Sequence, residues 1–258
     1  MKGKIHSSAI ISGKAEIAAG VEIGPFTIVG EGCVIGSGSV IASHVVLERN
    51  VQLGANVRVG VGSVLGGEPQ DLKFRGEETT VEIGDGTTIR EYTTINRGTS
   101  HSHKTSVGRD AFIMSYVHLA HDCQVGDGVI IANGAQLAGH VVVEERVGIS
   151  GLCAVHQFVR IGRHAYIGGL SRVTKDIPPY IKAAGSPVAL YGLNSVGLQR
   201  NGFSDEVVRE LKKAYRLVFR SELNVSQAIE RAAVELQPFP EVQEFLRFLG
   251  SSERGVVT

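Results

Sequence analysis

The feature that most constrains this chain is a six-residue beat. Stepping by six from Ile5 to Val173 samples 29 positions, and 26 of them are Ile, Leu or Val; only Asp71, Glu77 and His101 break the rule. Outside the interruption at about 66–82, the position four residues later is small or β-branched, as at Thr27, Cys33, Ser39, Val45, Ala135 and Ala165. A glycine often follows the aliphatic residue, as in Ile23-Gly24, Val29-Gly30, Val125-Gly126 and Ile161-Gly162, which suits a corner free of Cβ constraint. Recurrence at so short a period is the mark of a solenoid. Three hexapeptides would close one triangular coil, with the aliphatic residue inward and the small one near the corner. Residues 18 apart would then lie one above the other, with coils about 4.8 Å apart and the stack roughly 40 Å long. Periodicity alone gives the prism no handedness.

Two polar stretches interrupt the beat without shifting its register, at about 66–82 and 97–106. Loops thrown from a rigid scaffold are where binding groups concentrate. The beat ends near Asp176-Ile177-Pro178-Pro179-Tyr180, because consecutive prolines cannot donate to a sheet ladder. Residues 1–180 are therefore expected to form the β-helix and 181–258 a linker plus a small helical domain. Ile181–Gly202 reads as a loop with one short strand. Ser204 caps a helix with Asp205 and Glu206 in its first turn, and Val208, Leu211, Tyr215, Val218 and Phe219 form its apolar stripe. A second helix is expected over Ser226–Leu236, and a third from Pro240 that ends before Gly250.

Composition excludes several functions. Lys plus Arg equals Asp plus Glu, 26 against 26, so bulk attraction to nucleic acid or anionic membrane is not expected. No apolar run reaches the length of a signal peptide or a spanning helix, and a cytoplasmic setting follows as the default. The three cysteines (Cys33, Cys123, Cys153) all occupy the small-residue position and read as packing rather than as a disulfide or metal framework.

The nine histidines are unevenly placed. His118, His121, His140 and His156 crowd into the central coils, and Val117–Gln124 sets two of them beside Asp122. Coil arithmetic puts Gly139 over His121, His140 over Asp122, and Gln157 two coils above His121. A neutral imidazole can take a proton from a hydroxyl at neutral pH. A neighbouring carboxylate fixes its tautomer, and a glycine N–H can stabilise an oxyanion. That set suits acyl transfer with direct attack by an acceptor hydroxyl. The competing readings are solvated histidines on a bare scaffold, or zinc held as in hexapeptide-repeat carbonic anhydrases, which needs three convergent nitrogens. No two of these histidines share a column, so no metal site is expected. His6, His44 and His164 are read as surface residues.

Seven segments then stand in family order: Gln70-Asp71-Leu72-Lys73, Ile89-Arg90-Glu91, Asn96-Arg97-Gly98-Thr99, Val117–Gln124, Leu137-Ala138-Gly139-His140, Ala154-Val155-His156-Gln157-Phe158 and Asp176–Tyr180. With them the chain resembles the acyl-[acyl-carrier-protein]–UDP-N-acetylglucosamine O-acyltransferases over its whole length, helical tail included. The resemblance implies a left-handed parallel β-helix and a homotrimer with clefts between subunits. It implies that a (R)-3-hydroxyacyl group passes from acyl carrier protein to the 3-OH of UDP-N-acetylglucosamine, opening lipid A biosynthesis. The acyl group arrives on the carrier's phosphopantetheine arm, so no further cofactor is implied. His121 matches the general base, Asp122 its partner and Gly139 the oxyanion donor. Gln70, Asp71, Lys73, His118, His140, His156, Gln157, Asn194 and Arg200 match positions that bind sugar nucleotide, acyl chain or carrier. Tyr166 and Gly169 lie where acyl length is gauged, and Tyr166 is bulkier than the family residue. Asn96 stands where His is frequent, Val196 where Glu is, and Asn201 where a second Arg is. The N-acyltransferase acting two steps later on the same pathway is the nearest alternative; it carries an extra N-terminal uridine-binding domain, for which a repeat starting at Ile5 leaves no room. Acyl length, and a 3-hydroxy or 3-amino acceptor, stay open.

Overall fold

Most hexapeptides fold into a strand of two residues whose second member is the beat residue, as in Ile130–Ile131 and Gln136–Leu137. A computed structural model describes residues 4–258. Its strands stack into three sheets of 11, 9 and 8 strands, the faces of a left-handed triangular prism. Within a face the amide of residue i donates to the carbonyl of residue i+17 in the next coil, as from His118 to Ala135 (3.0 Å) and from Gln136 to Cys153 (2.8 Å). At the corners the bond points back, as from His140 to His121 (3.0 Å).

The register explains why the insertions leave the beat intact. Most partners are 18 apart, as Phe112 with Ile130. Val59 pairs with Ile89, and 30 is 18 plus 12; Ile89 pairs with Ile113, and 24 is 18 plus 6. Because the extra segments are whole hexapeptides thrown out as loops, the six-residue count carries on unbroken across them and the strands on either side pair in register.

Beat residues such as Ile35, Leu65, Ile113 and Ile131 have no exposed surface, each contributing about 1.5–3 kcal/mol by burial. Ile5 is 47% exposed, since its strand pairs on one side only, with Glu22–Ile23. The small position is a polar bridge as well as a packing site. Ser39 Oγ accepts from Val57 N (3.0 Å) and donates to Gly54 O (2.9 Å). Thr87 Oγ1 accepts from Ala111 N (3.1 Å) and donates to Gly108 O (2.7 Å). The three free cysteines are buried, and the Cys123 thiol reaches Ala138 O at 3.2 Å in the same manner.

Glycine after the beat is required by space. A Cβ on Gly30 would stand 1.6 Å from Glu48 O in the coil above. Positive φ falls two residues further on, at glycines such as Gly20 (75°) and Gly128 (63°) but also at non-glycine residues, including Asp122 (61°), His140 (63°) and Phe158 (63°).

The C-terminal region departs from expectation in several places. Ile181–Ala184 continues the 11-stranded sheet beside Tyr166–Ile167, and Ala189–Leu193 returns antiparallel to it. Helix α1 (Ser195–Arg200) follows, so the stretch read as a loop with one strand holds a hairpin and a helix. Each strand buries only alternate residues, Ile181 and Ala183 in the first and Leu190 in the second. Helix α2 (Asp205–Phe219) starts at the Ser204 cap. Helix α3 (Val225–Glu235) begins one residue early because Asn224 and Gln227 form a capping box. Helix α4 (Pro240–Gly250) includes its final glycine. Tyr180 donates to the Glu244 carboxylate, and the Arg160 guanidinium lies 4.6 Å from the Phe248 ring centroid; both contacts tie α4 to the prism. His164 is not a surface residue: only 4% exposed, it sits edge-on to Phe203 at 4.9 Å and near-parallel to Tyr180 at 6.1 Å. Burial, with Arg163 and Arg146 adding, pushes its pKa down to about 4. No helix among the described residues is long and apolar enough to cross a membrane.

If the hydroxyl bridges hold neighbouring coils, Thr87→Val should lower unfolding free energy by about 1–3 kcal/mol in denaturant titrations although it adds apolar surface. A neutral or stabilised variant would show that the bridge is dispensable.

Candidate active site

Both insertions leave the same edge of the prism, between the 9-stranded and 8-stranded faces. The first lies between Val64–Gly67 and Thr80–Ile83, and the second between Thr94–Asn96 and Lys104–Val107. The next corners along that edge carry His121 and Asp122, then Gly139 and His140, then Gln157 and Phe158. Buried Arg97 braces the two loops: it donates to Gly66 O (3.0 Å), pairs with Glu68 (3.5 Å) and lies 5.6 Å from the Phe74 ring centroid. Asn96 adds a bond to Glu68 O (2.8 Å).

Asp122 is the centre of this edge. Its side chain is fully buried, and its Oδ2 accepts from His121 Nδ1 at 2.8 Å and from Thr99 Oγ1 at 2.7 Å. Its Oδ1 accepts from Thr99 N (3.0 Å), Ser102 N (3.2 Å) and the Ser102 hydroxyl. Burial alone would raise its pKa, but the bonds from Ser102, His121 and Thr99 outweigh it and hold the carboxyl well below the usual range. None of these loop contacts was readable in the sequence, where His101 registered only as a failure of the beat.

The His121 side chain is 12% exposed, and its ring lies against Gly139: a Cβ there would stand 2.5 Å from Cε1 and 2.6 Å from Nε2. Only glycine leaves the ring that room. Among the described residues the Gly139 N–H has no hydrogen-bond acceptor. At the same corner position Ala55, Arg109 and Arg163 give their amides to Asp85 (2.7 Å), Asp127 (2.7 Å) and Glu144 (2.9 Å). The arrangement thus offers a ring nitrogen and an unused amide side by side, backed by a carboxylate.

The flanking residues build the walls. The His140 ring stacks on Phe158 at 4.2 Å and meets His101 and His121 edge-on at 4.6 and 4.9 Å. Burial lowers its pKa, against the pull of Asp122. His118 Nδ1 lies 2.7 Å from Thr94 Oγ1, and burial lowers its pKa, helped by His121. Exposed His156 meets Arg254 Nη2 at 2.8 Å, bringing the C-terminal segment to this edge. Gln157, Gln70 and Lys73 are exposed, and Asp71 is half-buried. A cleft of about 500 Å³ runs past His101, Asp122, His140, Phe158 and Arg254. A larger groove of about 960 Å³ runs along the 8-stranded face, and neither it nor the smaller cleft is lined by His121 or Gly139.

His121, Asp122 and His140 do converge, with one potential ligand atom from each within 4.8 Å of the others, although no two histidines share a column. The 2.8 Å separation of His121 Nδ1 from Asp122 Oδ2 is that of a hydrogen bond. It is shorter than the roughly 3.3 Å edge of a tetrahedron with about 2.0 Å zinc–ligand bonds.

The remaining candidates lie on other edges. Tyr166 belongs to the 11-stranded face, covers Gly148 and holds Ser150 Oγ through its hydroxyl at 2.6 Å; Gly169 follows at the next corner. Asn194 caps α1 by accepting from Gly197 N (3.2 Å) and donates to His164 O (3.0 Å) at the third edge. Arg200 lines a cleft there with Arg146, Arg163 and His164. Arg146 donates to Asn201 Oδ1 at 3.2 Å, so a guanidinium stands near position 201 after all.

A prism of hexapeptide coils with a buried His–Asp pair on one edge defines a β-helix transferase. The bacterial transferase hexapeptide model matches residues 14–49 and 104–139, and the second domain of the UDP-N-acetylglucosamine O-acyltransferase model matches 176–257. The acyl-[acyl-carrier-protein]–UDP-N-acetylglucosamine O-acyltransferase of Anaeromyxobacter dehalogenans is 47% identical over 192 residues, 74% of this chain and 75% of that one. The enzyme of the same name from Herminiimonas arsenicoxydans is 44% identical over 198 residues, 75% of this chain and 76% of that one. The structure of LpxA from Acinetobacter baumannii superposes with a TM-score of 0.96 at 41% identity, covering 98% of this chain and 99% of that one. The chain belongs to the acyl-[acyl-carrier-protein]–UDP-N-acetylglucosamine O-acyltransferase family.

The folded Asp122 carboxyl titrates below the roughly 3.9 of an unfolded aspartate. Its stabilisation is therefore complete above that value and is lost as pH falls through the lower, folded one. The difference in unfolding free energy between wild type and Asp122→Asn should narrow between about pH 5 and pH 2. A difference that widened on acidification would contradict the assignment.

Proposed function

We propose that this enzyme moves a (R)-3-hydroxyacyl group from acyl carrier protein to the 3-hydroxyl of UDP-N-acetylglucosamine, opening lipid A biosynthesis. The observation that carries the reading is the His121 ring set between a donor-saturated carboxylate and an unused glycine amide. The sugar hydroxyl attacks the thioester carbonyl while His121 Nε2 takes its proton. Asp122 holds the Nδ1 proton and stabilises the imidazolium. The oxyanion of the tetrahedral intermediate lies against the Gly139 N–H. Collapse breaks the C–S bond, and His121 returns the proton to the phosphopantetheine sulfur. No other cofactor enters this scheme.

Two observations support a homotrimer. The candidate site residues divide among three prism edges, too far apart for one chain to gather around one substrate. Phe26, Tyr92, Tyr116, Leu152 and Leu170 leave exposed apolar side chains along the edge between the 11- and 9-stranded faces. A row of that kind marks an interaction surface. In the assembly, Gln70, Asp71, Lys73, His118, His140, His156 and Gln157 would line the sugar and acyl path of one subunit. Tyr166, Gly169, Asn194 and Arg200 would come from an adjoining one, with Arg200 and Lys73 suited to phosphate. Tyr166 fills space over Gly148 and favours a short acyl chain. The carrier protein is an acidic helical partner, and α2 presents Arg209, Lys212, Lys213, Arg216 and Arg220 on its exposed side, with Lys213 also held by Glu210. Both substrates belong to the cytoplasm, where we place the reaction.

The first test is direct: purified protein, a panel of 3-hydroxyacyl carrier proteins, and the 3-hydroxy and 3-amino acceptors, with products read by mass. His121→Ala should lower kcat by about 10²–10⁴-fold or more while leaving the fold intact. A folded variant of undiminished activity would remove His121 from the chemistry. Charge reversal by Lys212→Glu with Arg216→Glu should raise KM for the acyl carrier several-fold, leave kcat alone, and matter less as salt rises. An unchanged KM at low salt would move the docking face elsewhere.

A further inference from the structure

The same Asp122 oxygen has two suitors. His121 Nδ1 holds Oδ2 at 2.8 Å, while His140 Nδ1, buried and without a hydrogen-bond partner, waits at 3.6 Å from it. A carboxylate free to turn about its side-chain bond would divide itself between the two imidazoles. It is not free. Thr99 Oγ1 fixes Oδ2, and the Ser102 hydroxyl with two backbone amides fixes Oδ1. Thr105 Oγ1 receives the Asp122 amide at 2.8 Å, holding the backbone as well.

We infer that Thr99 and Ser102 are positioning residues: the second inserted loop commits Asp122 to His121 and withholds it from His140. The loop could satisfy the register with any six extra residues, so its chemistry at these two positions is a separate requirement. Both hydroxyls act through the carboxylate and touch no reacting atom. His101, from the same loop, packs edge-on to His140 and holds that ring back against Phe158.

For catalysis this rests on the acyltransfer reading; for proton position it does not, and the two can be tested apart. The Nδ1 proton of His121 should give a low-field imidazole resonance, identified by its loss in His121→Ala. Thr99→Val and Ser102→Ala should each weaken or broaden it, and Thr99→Ser, which keeps the hydroxyl, should restore it. In the transfer assay, the two hydroxyl-removing variants should lower kcat roughly ten- to hundredfold, with KM for the sugar nucleotide unchanged. In an Asp122→Asn background they should add almost nothing, as residues acting through one partner do. Either hydroxyl-removing variant suffices if the other fails to fold. An unaltered proton signal in a folded variant, or a full additive loss in the Asp122→Asn background, overturns the inference. An inactive wild type with the proton signal behaving as stated would sink the transfer reading and leave the positioning role standing.

Discussion

Everything in this molecule depends on the amide-to-carbonyl bond that joins residue i to residue i+17 of the next coil. Because that offset repeats on every face, residues at one hexapeptide position form a column along the prism, and neighbours in space are neighbours by arithmetic. His121 lies below Gly139, and Asp122 below His140 and Phe158, for this reason alone. The same bond restricts insertion. It confines the extra segments of 12 and 6 residues to a corner, where they leave the pairing of the strands on either side unchanged.

The parts legible in the sequence were those the columns dictate. The prism, the packing role of Cys33, Cys123 and Cys153, and the stacking of Gly139 on His121 all follow from counting. Ser204 and Pro240 announced their helices because capping is local chemistry. What escaped was whatever long-range contact decides. His164 carries an ordinary corner position, yet Tyr180 and Phe203 arrive from outside the repeat to bury it. Thr99 and Ser102 sit in a stretch with no period, so nothing in their spacing points to Asp122, 20 or more residues on. The glycine after each beat residue was foreseen at the right place and for an incomplete reason: a carbonyl of the coil above fills the space where its Cβ would stand.

Charge explains why the site needs its loops. A rigid β-helix can offer corners and columns, but few spare donors: most of its amides are spent on the neighbouring coils, and the free Gly139 amide makes no bond to Asp122. A carboxylate sunk in such a wall would be driven to protonate. The second loop supplies the missing donors from outside the repeat: Thr99 and Ser102 for Asp122, and Arg97 to brace it against the first loop. The 6-residue insertion is thus the piece that lets an ionised group exist at the prism edge, in a chain whose formal charge is zero.

The same geometry argues for assembly. One side of the prism spans six residues, about 20 Å at roughly 3.3 Å per residue, and no side chain reaches from one edge to the next. On the proposed reading, in which residues near His164 and residues near His121 grip one sugar nucleotide, a single chain cannot bring both to it. A neighbour turned about an axis parallel to the stack brings a different edge opposite His121 while every column keeps its height. Under such a rotation the level of a residue along the prism becomes its address in the cleft. Tyr166 lies 27 residues, one and a half coils, beyond Gly139, so in the proposed assembly an acyl chain entering beside His121 would run along the column direction, its length read against whichever coil closes the path.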